Sequence, residues 1–156
     1  MVVVGVVVLL VVGFVAMTLL SSGGNAEKDD LIKAAQQQAE LIRVSKIGVE
    51  KARDPITQSL AITTSLALES DQITLLSHAK VSSSELALGR SSKTDVALTT
   101  AEQSNEFDTV FTQTIQTELL QYQTSLRNAY SKASSTKLKT SLKELIAHAG
   151  VLTAKK

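Results

Sequence analysis

The first twenty residues constrain this chain more than any other stretch. From Val2 to Leu20 nothing is charged, and the only hydroxyl belongs to Thr18. As a helix rising about 1.5 Å per residue, these nineteen residues would run about 28 Å, close to the roughly 30 Å hydrocarbon core of a bilayer. Every ionisable side chain lies later, from Glu27 onward. The expectation is a single membrane-spanning helix over residues 1–20 that is kept in the mature protein. A short flexible joint over 21–26 (Ser21-Ser22-Gly23-Gly24-Asn25) and one polar domain over 27–156 then follow.

Two other readings compete for the apolar segment. A cleaved signal peptide would use the small residues Gly24 and Ala26, but the run is longer than a usual signal core and no Lys or Arg precedes it. A pilin-like subunit would begin directly with an apolar helix once a basic leader had been removed. Pilins usually carry glutamate at their fifth position, where this chain has Gly5. Around the span there is little positive charge. The flank Glu27-Lys28-Asp29-Asp30 is net acidic, so the polar domain is expected outside the cytoplasm. Gly5 and Gly13 share a face of the span but do not by themselves specify a dimer. The chain has no cysteine, which removes disulfides, thiolate metal sites, cysteine nucleophiles and cysteine lipidation.

The polar part reads as all-α. One proline, Pro55, and no glycine between Gly48 and Gly89 leave long stretches without a breaker. A first helix spans about 26–53, with Leu31, Ala35, Ile42 and Val49 on one face and Ala34, Leu41 and Ala52 flanking it. Asp54-Pro55 then starts a second helix sharply, Asp as N-cap and Pro at the first helical position. That helix carries two apolar stripes, Ala61-Leu68-Leu75-Ala79 and Ile62-Leu66-Ile73-Leu76, which implies burial on more than one side. It is expected to fray through Ser82-Ser83-Ser84 and stop near Gly89.

Between Gly89 and Gln103 the pattern supports only a short helix around Val96-Ala97-Leu98, capped by Ser92 or Thr94. A third long helix follows Ser104, with Glu106 and Asp108 in its first turn, where the helix dipole favours acids. Phe107, Phe111, Ile115, Leu119, Tyr122, Leu126, Ala129 and Ala133 make the cleanest apolar stripe in the chain. A last helix spans about 136–154, with Leu138, Leu142, Leu145, Ala149 and Leu152 on one face. Four amphipathic helices with a long middle connection predict an up-down four-helix bundle behind the anchor.

Glu50-Lys51-Ala52-Arg53-Asp54-Pro55 between two helices, Leu60-Ala61, Phe107-Asp108 and the closing stretch Leu142 to His148 resemble the ferritin-like four-helix domains of unknown function found in exported bacterial proteins. The resemblance covers roughly 30–154 and implies a four-helix bundle. Members typically place an Asp-His pair midway along the second helix and a His midway along the third. Here Ala67-Leu68-Glu69 and Glu118-Leu119 stand there, and only His148 matches the His of the last helix.

Ligand counting argues against a metal. A di-iron bundle needs several inward carboxylates and Glu-x-x-His pairs, and the chain has no Glu-x-x-His and two histidines in all. Glu40, Glu69 and Glu118 fall one per helix. The only cluster that could survive is Glu118 with Glu144 and His148, so no metal, cofactor or catalytic residue is expected. His78 sits beside the Leu75–Ala79 stripe and reads as structural. No Gly-x-Ser-x-Gly, no Ser-x-x-Lys set on a suitable turn and no phosphate loop supports an enzyme.

Charge offers one binding surface. From Lys132 to Lys156 there are six lysines and one glutamate, and Lys132, Lys139 and Lys143 are expected on one face of the last helix. That face would attract lipid headgroups, an anionic surface polymer or an acidic protein. Nucleic acid is excluded by the near absence of aromatic residues, 3% of the chain. The function expected is therefore a membrane-anchored, extracytoplasmic binding or interaction module. The alternative is a structural subunit of a filament or oligomer packed through its apolar N-terminal helix.

Overall fold

A computed structural model describes residues 26–154. The expected membrane span and joint lie outside the described residues. Among the described residues there are six helices, and none is long and apolar enough to cross a membrane. Four long helices are α1 (Ala26–Lys51), α2 (Pro55–Ala79), α5 (Phe107–Lys132) and α6 (Thr136–Ala154). Two shorter ones, α3 (Ser83–Ala87) and α4 (Ser92–Gln103), form the connection from α2 to α5.

Local chemistry sets the boundaries. Asp54 is extended, and its carboxylate accepts from the Thr57 backbone N–H and hydroxyl, each at 2.9 Å, while Pro55 occupies the first helical turn. These two bonds hold the Asp54 carboxyl below its usual range. Replacing Asp54 with Ala should lower the melting temperature, and Asn, which keeps the acceptor, should retain most of it. An unchanged melt for Asp54→Ala would show that the cap is idle. At its other end α2 stops early. Lys80 adopts a left-handed conformation (φ 52°), and its N–H donates to the Leu76 carbonyl. The serines expected to fray instead start a helix. Ser82 caps α3 through a reciprocal capping box with Glu85, whose carboxylate accepts the Ser82 N–H at 2.8 Å. Ser91, one residue before the expected cap, starts α4 by accepting the Thr94 N–H at 3.2 Å.

The direction of each long helix follows from its ends. Asp108, at the start of α5, accepts the backbone N–H of Arg53 just after α1, at 3.1 Å. Glu27, at the start of α1, accepts the Ser134 N–H beyond the end of α5, at 2.7 Å. So α1 and α5 are antiparallel. Asp71 with His148, and His78 with Ser141, make α2 and α6 antiparallel as well. Each long helix packs on two antiparallel neighbours, in the ring α1–α2–α6–α5. It follows that α2 and α5 run in the same direction. The chain order is up, down, down, up rather than the strict alternation expected, because the 80–106 connection travels back along the bundle. Helix α3 rests on α1, and α4 on α5.

Leu41, Leu68, Leu75, Phe111, Ile115, Leu119, Leu126 and Leu142 fill the core, fully buried. Phe111 lies where the α1 backbone comes closest. A Cβ at Gly48 would run into the Phe111 ring and sit 2.9 Å from the Ala61 Cβ, so only glycine fits. Gly89 has a similar reason. Its Cβ would stand 2.6 Å from the Gln36 Cβ and about 3 Å from the Gln36 carbonyl, which is backbone and cannot rotate away. Gly89→Leu should therefore lift α3 off α1, seen as faster amide exchange over 83–89. Unaltered exchange there would contradict the packing.

The second stripe of α2 is not buried as expected. Ile62, Leu66 and Ile73 are 42%, 63% and 78% exposed, and only Leu76 is partly covered. A helix in a four-membered ring touches two neighbours and the core, which leaves one side to solvent. The Ala61–Leu75 stripe takes the core side.

Candidate functional site

Three features can carry function: an ion network under the connection, a polar layer across the middle of the bundle, and the outer face of α2.

The network joins α1, α4 and α5. Glu40 and Arg43 are three apart on α1, so their side chains meet. The pairing is bidentate, both N···O distances being 2.7 Å, and Glu40 is 7% exposed. Arg43 also reaches Asp95 on α4 at 2.7 Å, and Arg90 reaches the same carboxylate at 3.0 Å. Glu40 accepts the Ser91 backbone N–H at 3.1 Å. The Thr94 hydroxyl donates to one oxygen of Glu118 at 3.2 Å, and the other oxygen of Glu118 is buried without a hydrogen bond. The Glu40 hydrogen bond, more than any other influence, keeps Arg43 firmly charged. Burial alone would raise the Asp95 carboxyl, but Arg90 and Arg43 outweigh it and hold the carboxyl low. Burial, and then the nearby Glu40 charge, push Glu118 up to about 7. Arg43 is already committed to Glu40 and Asp95.

The middle layer takes one residue from each long helix. Gln38 on α1 donates to the Leu68 carbonyl of α2 at 3.2 Å. His148 Nδ1 on α6 donates to Asp71 on α2 at 2.9 Å, which leaves its Nε2 edge at the surface. Tyr122 on α5 is 1% exposed, and its hydroxyl makes no hydrogen bond. Burial and then the Asp71 charge raise the Tyr122 hydroxyl well above its usual value, which keeps it neutral. The Gln38 Oε1, Ser45 and Thr64 oxygens are likewise buried without a partner. Leu68 does fill the core, as expected, but the polar layer passes one turn away from it, through Asp71.

The structure separates the expected metal candidates. Glu118 faces Thr94 and Glu40, His148 faces Asp71, and Glu144 is exposed on α6. The cluster does not form because α5 turns Glu118 toward α1 and α4 while α6 turns His148 toward Asp71 of α2. Among the described residues no group of three or more His, Asp and Glu is placed to hold a metal ion. Glu40 is buried against Arg43, and Glu69 pairs with Lys46 at 2.8 Å. Of the expected lysine face, Lys139 and Lys143 lie exposed on α6. Lys132 belongs to the last turn of α5 and is bonded to Asp30 at 2.6 Å, so it does not join them. His78 lies 3.2 Å from the Ser141 hydroxyl. A cleft lined by Lys51, Arg53, Glu102, Asn105, Phe107 and Asp108 offers about 30 Å³, far below what an organic substrate fills.

Sequence reasoning missed Arg43, Asp71 and Asp95. Glu40 and Arg43 at i, i+3 were visible as a pair, and Arg43 is the only arginine inside α1. Their partners lie about fifty residues on and depend on where the connection lands.

The third feature is the α2 surface. One ion pair crosses it, Glu69 with Lys46, the side chains 38% and 60% exposed. Ile62, Leu66 and Ile73 alternate there with Ser59, Ser70 and Ser77. The three ionisable side chains of α2 are already engaged, Glu69 with Lys46, Asp71 with His148 and His78 with Ser141.

Comparison with known protein families, with characterised proteins and with solved structures finds no match.

Proposed function

We propose that this protein is a non-enzymatic interaction module, held at a membrane by residues 2–20 with its helical domain on the extracytoplasmic side, and that it docks partners through the outer face of α2. One observation carries this reading: an exposed apolar stripe on the surface of a small domain, with Ile73 78% and Leu66 63% exposed, and with Glu69 between them already paired to Lys46. Leaving large aliphatic side chains in water forgoes roughly 25 cal/mol per Å² of burial, and a partner surface recovers it. The one ion pair on this face, Glu69 with Lys46, leaves no net charge with which to select an acidic or basic polymer. The face fits the apolar stripe of another helix. Lys139 and Lys143 on α6 would add attraction to anionic headgroups once the domain is near a membrane.

A ferritin-like architecture is part of the proposal. It is supported by the single long connection that leaves α2 and α5 parallel. Its usual metal centre is not part of it. Purified protein should carry no stoichiometric iron, manganese or zinc. One equivalent of metal lost on His148→Ala would reverse this view.

The test of the docking face is affinity capture of the tagged full chain from chemically cross-linked membranes. Ile73→Lys should lose the captured partners while leaving the helical content and the membrane fraction unchanged. Identical capture by wild type and Ile73→Lys would remove α2 as the docking face. Recovery of the chain in the soluble fraction would remove the anchor.

A further inference from the structure

We propose that α4 is a releasable strap, seated across α1 and α5 by the Arg43-centred network and loosened at alkaline pH. Two sets of observations meet here. The first is how little else holds α4. Among its twelve residues only Leu98 and Ala101 are buried, and α3, the helix before it, buries none. By contrast α5 buries eight, against α1 and α6. The bundle core is complete without α4, apart from the Leu98 contact.

The second is what the network would do as charge changes. Facing Glu118 from α1 are Glu40 and Arg43. From α4 comes Thr94, and Asp95 and Arg90 join the network behind it through Arg43. The immediate α5 neighbours of Glu118, Thr117 and Leu119, carry no charge. Arg43 spends its donors on Glu40 and Asp95, and Arg90 on Asp95, so neither cation pairs with Glu118. With a proton, Glu118 is a neutral neighbour for Glu40. Without it, two carboxylates share a water-poor seam, and one Glu118 oxygen has no donor. The nearest relief is water, and water reaches it when α4 lifts. The far end of α4 stays tied through Lys51–Glu102 at 2.7 Å, so Ser91 and Thr94 are the end that moves. In the other direction, loss of the Glu118 charge seats the strap again.

Amide hydrogen exchange of the full chain in detergent micelles, read by mass spectrometry at pH 5.5 and pH 8.0 with times scaled for intrinsic exchange, tests this. Peptides covering 91–103 should lose about ten-fold protection at pH 8.0 relative to pH 5.5, with α2 and the second half of α5 unchanged. Glu118→Gln, nearly the same shape, should hold the pH 5.5 protection at both values. Arg43→Gln should leave 91–103 unprotected at both. Protection of 91–103 that does not change with pH would overturn the strap. So would a pH-dependent loss that survives in Glu118→Gln, or one shared equally by all helices.

Discussion

Phe111→Ala should lower the melting temperature of the detergent-solubilised chain by roughly 10–20 °C. Truncating a buried phenylalanine costs about 3–5 kcal/mol, and a domain of this size loses a few degrees per kcal/mol. The ring is fully buried and meets the α1 backbone at Gly48, where no side chain can follow to close the void. The Phe107 ring, stacked on Phe111 with centroids 5.7 Å apart, loses that contact as well. The same contact makes a coupled prediction. Gly to Ala inside a helix normally gains about 1 kcal/mol. At Gly48 the new methyl would enter the Phe111 ring, and overpacking costs about 1–3 kcal/mol, so Gly48→Ala should destabilise. Phe111→Leu should rescue part of that loss. A double mutant no better than the sum of the singles would show that Gly48 and Phe111 do not meet.

The second large effect is on pH. A carboxyl whose folded value is raised binds its proton more tightly folded than unfolded. Its stabilising contribution is therefore complete below the unfolded value, 4.5, and is lost as pH rises through the folded value, about 7. Full linkage over that interval comes to about 3 kcal/mol. Partial solvent access to Glu118 brings the expected loss to about 1–3 kcal/mol between pH 4.5 and pH 7. Opening of α4 sets a ceiling, since the loss stops growing once lifting the strap costs less than holding the charge. Glu118→Gln should flatten the profile and melt above wild type at pH 8. A wild-type melting temperature that rises from pH 5 to pH 8, with Glu118→Gln unable to change its slope, would refute this.

The parts of the fold that could be read in the sequence are those decided within a turn or two of chain. Asp54-Pro55 declares a helix start by its own geometry. The Phe107 to Ala133 stripe has one apolar face and therefore one way to sit, and α6 buries the face its period marks from Leu138 to Leu152. The parts that resisted depend on distant chain. Two apolar stripes on α2 look alike in sequence, and only the count of neighbours in the ring says that Ile62, Leu66 and Ile73 stay outside. Glu118 stands out in the sequence as one of three carboxylates that fall one per helix. Which residues it meets is not legible there, because α4 supplies Thr94 across 24 residues and α1 supplies Glu40 across the whole connection. The Asp71–His148 bond spans 77 residues and has no local signature.

Site-specific photocrosslinking in intact membranes tests the docking face most directly. A photoreactive residue in place of Ile73 on α2 is compared with one in place of Val151 on α6, a similarly exposed aliphatic position at 60% against 78%. The proposal requires a discrete crosslinked species from position 73, with the chain in the membrane fraction and the crosslinker acting from the extracytoplasmic side, and none from position 151. Equal labelling at both positions, or none at 73, would contradict it.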